Sequence, residues 1–226
     1  TTLTESILFY LIGYVKTQPG MFITADKELA NTRMEMNIIP MLIESGMMHL
    51  IRSADIGNSR KTGKTKDFLQ WEGGGFLVYN GAQNAAKMRQ TSVPYMLKDE
   101  IDGWPRVVGK DGNSDSLTDA RLSAYWKKRK ILRGSTPLRE PSLITDAYER
   151  GDKRQYNVLC KHCSFPQALR LEVIDKKTGI VGGFHWEMDN DTLILESVRY
   201  CCVNCGQEHY EIDKEKLFSQ QNGAHW

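Results

Sequence analysis

Two short cysteine knuckles, Cys160-Lys161-His162-Cys163 and Cys202-Val203-Asn204-Cys205, constrain this chain more than any other feature. Four thiolates at C-x-x-C spacing can converge tetrahedrally on one Zn²⁺ at about 2.3 Å each, which ties two distant segments to a single point. A lone C-x-x-C could be a redox pair, and a disulfide framework is the general alternative for clustered cysteines. Disulfides belong to oxidising compartments, where an α/β chain of this kind is not expected. The 38 residues between Cys163 and Cys202 exceed the ribbon spacing of about 15 to 20. An elaborated hairpin over "DKKTGIVGGFHWEMDNDT" accounts for the excess. Four thiolates leave no open coordination position, so a structural role is expected rather than a catalytic one. Cys201 is the odd thiol, and His162 and His209 are fallback ligands.

The cysteines punctuate strand-like segments ("YNVLC", "ALRLEVID", "TLILESVRYC", "HYEID"), which predicts a small β-rich module. Upstream the character differs. Residues 1–15 read as a helix ended by "TQPG", "MFIT" as a buried strand, and "ADKELANTRMEMNIIPMLIES" as a helix capped by Asp26 and disturbed near Pro40. "VPYMLKDEIDGWP" holds a mostly apolar strand, "DSLTDARLSAYWKKRK" a helix, "KILRGSTP" a strand, and "PSLITDAYERGD" a helix capped by Ser142. Strands alternating with helices predict an α/β layer with a mainly parallel sheet. With 226 residues, 40% of them hydrophobic, the chain can bury a proper core as one domain with an appendage or as two small ones. A net charge of +2 is too weak to diagnose a nucleic-acid partner. No apolar run approaches the roughly 20 residues of a membrane span, and a soluble, intracellular protein is expected. The chain opens inside a helical pattern and stops on "NGAHW", so a piece of a longer protein is expected.

"GNSRKTGKT", residues 57–65, imitates a phosphate-binding P-loop. Gly63, Lys64 and Thr65 fit its second half, but Asn58 stands where the first glycine belongs. The segment that follows, "KDFLQWEGGGFLVYNGA", reads as two strands and a turn, and a hairpin cannot offer a helix N-terminus to an anion. A basic loop comprising Arg60, Lys61, Lys64 and Lys66 is the reading that remains. Stronger chemistry lies at Asp99-Glu100, two carboxylates at the end of a predicted central strand. In nucleotide hydrolases the first of such a pair holds Mg²⁺ and the second polarises the attacking water. Two acids after a strand can equally open a turn, and Lys98 departs from an all-apolar strand. Ser135 and Thr136 end the next strand, where a polar tip can sense a γ-phosphate or simply form a turn before Pro137.

The ordered set of these pieces resembles a known family, the large terminase subunit of tailed bacteriophages of the lambda gpA type. "LIGYVKTQPGMFIT", "GGGFLVYNGAQNAAKMRQTSVPYMLKDEIDGWP", "RKILRGSTPLREPSLITDAYERGDKRQYNVLCKHC" and "YCCVNCG" carry the likeness along essentially the whole chain. The resemblance implies a P-loop NTPase-type (ASCE/RecA-like) sheet with helices on both faces over residues 1–155. A zinc-ribbon-like module would occupy 156–215, and residues 216–226 would begin a segment leading to a nuclease domain that cuts concatemeric DNA. By the same implication Asp99 is the Mg²⁺ carboxylate, Glu100 the catalytic glutamate, and Ser135 and Thr136 the coupling motif. The glycine- and lysine-bearing loop would stand ahead of Thr1, leaving Thr1, Thr2 or Thr4 at or beside the Mg²⁺ hydroxyl position. The implied cofactors are ATP, Mg and Zn. The implied partners are double-stranded DNA, the small terminase subunit and the portal of the procapsid, with a homo-oligomeric ring working in the host cytoplasm. Candidate DNA contacts are Arg60, Lys61, Lys64, Lys66, Arg89, Lys127 and Lys128. Two rivals stand beside this: a helicase-like ATPase, and a non-catalytic zinc-ribbon module that docks nucleic acid or protein.

Overall fold

The computed structural model describes residues 2–52, 64–65, 67–110, 112–138, 141–174 and 179–226. They form two compact units that divide after Gly151, four residues ahead of the boundary expected from sequence.

The first unit begins with α1 (Thr2–Tyr10), which widens into a π-helical turn over Leu11–Val15 before β1 (Gly20–Thr24). Asp26 caps α2 (Lys27–Arg33), its carboxylate accepting from the Leu29 amide at 2.7 Å. The helix widens over Met34–Ile38 and resumes as α3 (Ile39–Glu44). Pro40 lies just beyond the widened turn; it has no amide to donate and its ring crowds the preceding turn. Then follow β2 (Lys64–Thr65), β3 (Phe68–Gln70), β4 (Phe76–Gly81), α4 (Ala85–Arg89), β5 (Tyr95–Asp99), α5 (Ser114–Asp119), β6 (Lys130–Gly134) and α6 (Leu143–Glu149). Ser142 caps α6 by accepting from the Thr145 amide at 3.1 Å.

The strands form one sheet in the order β2-β3-β4-β1-β5-β6, parallel from β4 to β6 and antiparallel at β2 and β3. Period-two alternation splits each central strand between two cores. Phe22, Tyr79 and Leu97 pack against Leu8, Ile12, Met34 and Ile38. Met21, Ile23, Val78 and Met96 pack on the opposite face with Ile101, Trp104 and Leu122. Burial on both faces is why β1 and β4 read as nearly continuous apolar runs. The chain places β4 on one side of β1 and then crosses to β5 on the other. In sheets of this kind, ligands bind where that order reverses, at the carboxyl ends of the strands.

The second unit contains β7 (Asn157–Leu159), β8 (Pro166–Ala168), β9 (Glu172–Ile174), β10 (Val181–Asp189), β11 (Thr192–Cys201), β12 (Glu208–Tyr210) and α7 (Lys214–Phe218). β7 and β8 form a hairpin, and β12-β11-β10-β9 an antiparallel sheet. Residues 216–226 belong to this unit. Tyr156 stacks on Phe218, its ring meets Trp226 edge-on, and His225 bridges to Asn157.

Candidate nucleotide site and candidate metal centre

The carboxyl ends of β5 and β6 are in register, with Asp99 beside Gly134, so the acidic pair and Ser135-Thr136 stand on neighbouring strand tips. Asp99 is 4% exposed, and among the described residues its carboxylate has neither a hydrogen bond nor an ion pair. A little-exposed carboxylate with no neighbouring donor is free to take a cation. Gly134 lies beside it, where a Cβ would make ordinary contact at 3.7 Å from Asp99 Oδ1. A divalent cation fits this hard, unpartnered oxygen donor.

Glu100 adopts the left-handed conformation (φ 52°, ψ 46°) that favours glycine. For a side-chain-bearing residue that strain costs on the order of 1–3 kcal/mol and persists only where the surroundings enforce it. They do so here through a 3₁₀ turn over Ile101–Gly103, in which the Gly103 amide donates to the Glu100 carbonyl at 2.9 Å. The buried Trp104 indole N–H also donates to the Asp99 carbonyl at 2.9 Å. The strand therefore stops at Asp99, and Glu100 is turned out of the sheet.

Three further carboxylates organise the surroundings. Lys98, fully buried, places Nζ 2.5 Å from Asp115 and 2.7 Å from Asp119, and Arg133 of β6 bonds the same two acids. The network ties α5 to β5 and β6. Burial alone would raise the Asp115 carboxyl, but Lys98 and Arg133 hold it below the ordinary value of 3.8. Asp102 accepts from Ser142 Oγ and from the Leu138 and Ile144 amides. Partial burial pushes its carboxyl up, yet these bonds outweigh burial and bring it below 3.8. The Lys98 anomaly was visible in the sequence. Its partners, and those of Asp102, lie 17 to 42 residues away and left no local signal.

Of the remaining candidates, Thr2 and Thr4 open α1. Leu11, just beyond its other end, lies against Gly20 at the start of β1. Lys64-Thr65 is a strand paired with β3, so no helix follows it as a P-loop requires. Arg89 ends α4, and Lys127 and Lys128 are exposed after the turn that follows α5. Thr1, Arg60, Lys61 and Lys66, and the side chain of Lys64, lie outside the described residues.

In the second unit the four cysteines of the knuckles gather with all sulfur atoms within 4.8 Å of one another. Cys160 and Cys205 are 3.8 Å apart and Cys163 and Cys202 3.7 Å. A tetrahedron with arms of about 2.3 Å has edges of about 3.8 Å, so the donor set fits Zn²⁺. Each knuckle is the same turn. The Ser164 amide reaches the Cys160 carbonyl at 2.8 Å, and the Gly206 amide the Cys202 carbonyl at 2.9 Å. The His162 and Asn204 amides donate to Cys160 and Cys202 sulfur, both at 3.4 Å. Gly182 lets the second knuckle lie on β10, since a Cβ there would be 2.7 Å from Val203 Cα. Burial pushes the Cys160 thiol up to about 12, while the Asn204 side-chain amide draws Cys163 down to about 6. Buried His209 places Nε2 3.3 Å from Cys160 sulfur, where it supports a ligand rather than replacing one. Cys201 is buried and outside the cluster.

A mixed α/β domain with a mainly parallel sheet, an acidic strand end at its carboxyl edge and a four-cysteine cluster defines the class. The chain belongs to the family of phage terminase large subunit gpA ATPase domains, which matches residues 1–226. Among solved structures it is similar to the Thermus phage P74-26 large terminase ATPase domain, at 10% identity and a TM-score of 0.44, over 74% of this chain and 66% of that one. No curated protein matches. Among the described residues no helix is long and apolar enough to cross a membrane.

Proposed function

We propose that this chain is the ATP-hydrolysing segment of a motor that drives double-stranded DNA into a procapsid. The observation that carries the reading is the Asp99 carboxylate at the tip of β5, unpartnered among the described residues, followed at once by a strained Glu100 and flanked by Ser135. Asp99, with a hydroxyl from Thr1, Thr2 or Thr4, would hold Mg²⁺. When bound, the ion neutralises charge on the phosphates and orients the terminal group. Glu100 Oε accepts a hydrogen bond from the attacking water, aligns it for in-line attack and draws off its proton. Ser135 and Thr136 stand where departure of the phosphate is sensed and passed to neighbouring elements. Arg89, Lys127 and Lys128, together with Arg60, Lys61, Lys64 and Lys66, would meet DNA phosphates without reading sequence. A homo-oligomeric ring on the portal, supplied with DNA by the small subunit in the host cytoplasm, is the assembly this reading implies.

The four thiolates would hold one Zn²⁺ as a structural tie in a zinc-ribbon-like module. Ligand convergence, rather than Lewis acidity, is what the ion supplies there.

Glu100→Gln in the full-length subunit tests the site. The amide keeps size and hydrogen bonding but cannot take a proton, so ATP hydrolysis is expected to fall by about 10²- to 10⁴-fold, with the melting temperature unchanged. Hydrolysis within twofold of wild type would overturn the assignment.

A further inference from the structure

Asp102 lies two residues beyond Glu100, in the middle of the 3₁₀ turn that holds Glu100 in its left-handed conformation. Its carboxylate reaches across to the segment after β6. Oδ2 accepts from the Leu138 amide at 3.0 Å and the Ser142 hydroxyl at 2.7 Å, and Oδ1 accepts from the Ile144 amide at 3.0 Å. Its backbone amide turns the other way and donates to Ser135 Oγ at 3.1 Å. One residue thus bonds the tip of β6, the loop that follows it and the first turn of α6. Arg106 adds a second tie from the same side by donating to the Pro141 carbonyl.

A plain helix cap does not need this arrangement. Ser142 already caps α6 through the Thr145 amide, so Asp102 comes from outside as an additional acceptor for the same helix start. Its hydrogen bonds span 33 to 42 residues of sequence, and all of them end on segments that follow β6. On the other side, the turn that carries Asp102 is closed by bonds to the Glu100 and Ile101 carbonyls. Shifting α6 or the Ser135 tip while these bonds hold must therefore drag the turn and rotate Glu100.

We propose that Asp102 is the positioning residue that makes Glu100, the Ser135-Thr136 tip and α6 move as one body, so that displacing α6 withdraws Glu100 from the attacking water. This rests on the ATPase reading above and adds the route by which a strand tip reaches the catalytic carboxylate.

The test is steady-state ATP hydrolysis by the full-length subunit carrying Asp102→Asn, Ser142→Ala, and Asp102→Asn combined with Glu100→Gln. The asparagine amide would present hydrogens to groups that already donate, which breaks the bridge at nearly constant volume. The expected result is a kcat lowered by about 10- to 100-fold, the scale on which a misplaced group costs rate, with KM for ATP within about threefold. Ser142→Ala removes one of the bridging donors and should lower kcat by a smaller factor in the same pattern. In the Glu100→Gln background Asp102→Asn should change the residual rate less than about twofold, because the two act through one group. A role confined to stability would instead leave kcat per folded molecule intact, or lower the rate equally in both backgrounds, and either result overturns the proposal. If Asp102→Asn fails to melt cooperatively, Ser142→Ala decides by the same criteria. An inactive wild type overturns the ATPase reading and this proposal together, whereas an active wild type with an unaffected Asp102→Asn overturns only the positioning role.

Discussion

Burying an ammonium beside the acidic end of β5 is tolerable only when its charge is matched, and Lys98 meets that condition through two carboxylates on α5. Lys98→Met would leave Asp115 with Arg133 alone; we expect a loss of about 3 kcal/mol or more in chemical denaturation, as for other broken buried pairs. Asp115 gives the pH dependence. Its folded value lies below 3.8, so its contribution to stability is complete above 3.8 and is lost as pH falls through the lower, folded value. Acid titration of stability should therefore show a step below 3.8 that Asp115→Asn lacks. Glu100 offers the converse experiment. Glycine adopts its left-handed conformation freely, so Glu100→Gly is expected to raise stability by up to about 1 kcal/mol while abolishing hydrolysis.

At the scale of elements, the knuckles behave as a unit built by two copies of one turn. Elemental analysis is expected to give one zinc per chain, and replacing both Cys160 and Cys202 by Ser should unfold the second unit, seen as loss of its amide-exchange protection. A metal-free preparation with that protection intact would refute the tie. The strand identity of Lys64-Thr65 leads to a further expectation: Lys64→Ala should leave ATP hydrolysis nearly unchanged. The sequence marked most elements well, because caps such as Asp26 and Ser142 and the apolar runs of β1 and β4 are local signals. It hid the π-helical turn over Leu11–Val15, and it merged β8 and β9 into one strand.

For the whole molecule the function proposed above calls for a polyanionic partner, although the net charge is only +2. Contact must then be local. Lys127→Ala and Lys128→Ala, measured as the dependence of duplex binding on salt, should each lower the slope of log K against log salt by about 1 if their ammonium groups meet phosphates. Sequence alone determined the alternation that makes a parallel sheet, the cysteine spacing that converges on one centre and the acidic pair that ends β5. Each is written in residues close together in the chain or in a repeated short motif. Only the tertiary structure decided that the Asp99 carboxylate lacks a partner among the described residues, that Glu100 is strained, and that Asp102, Asp115 and Asp119 bind β5 to the elements around it. Those facts depend on hydrogen bonds between residues far apart in sequence, whose geometry exists only once the sheet has brought the strand tips together.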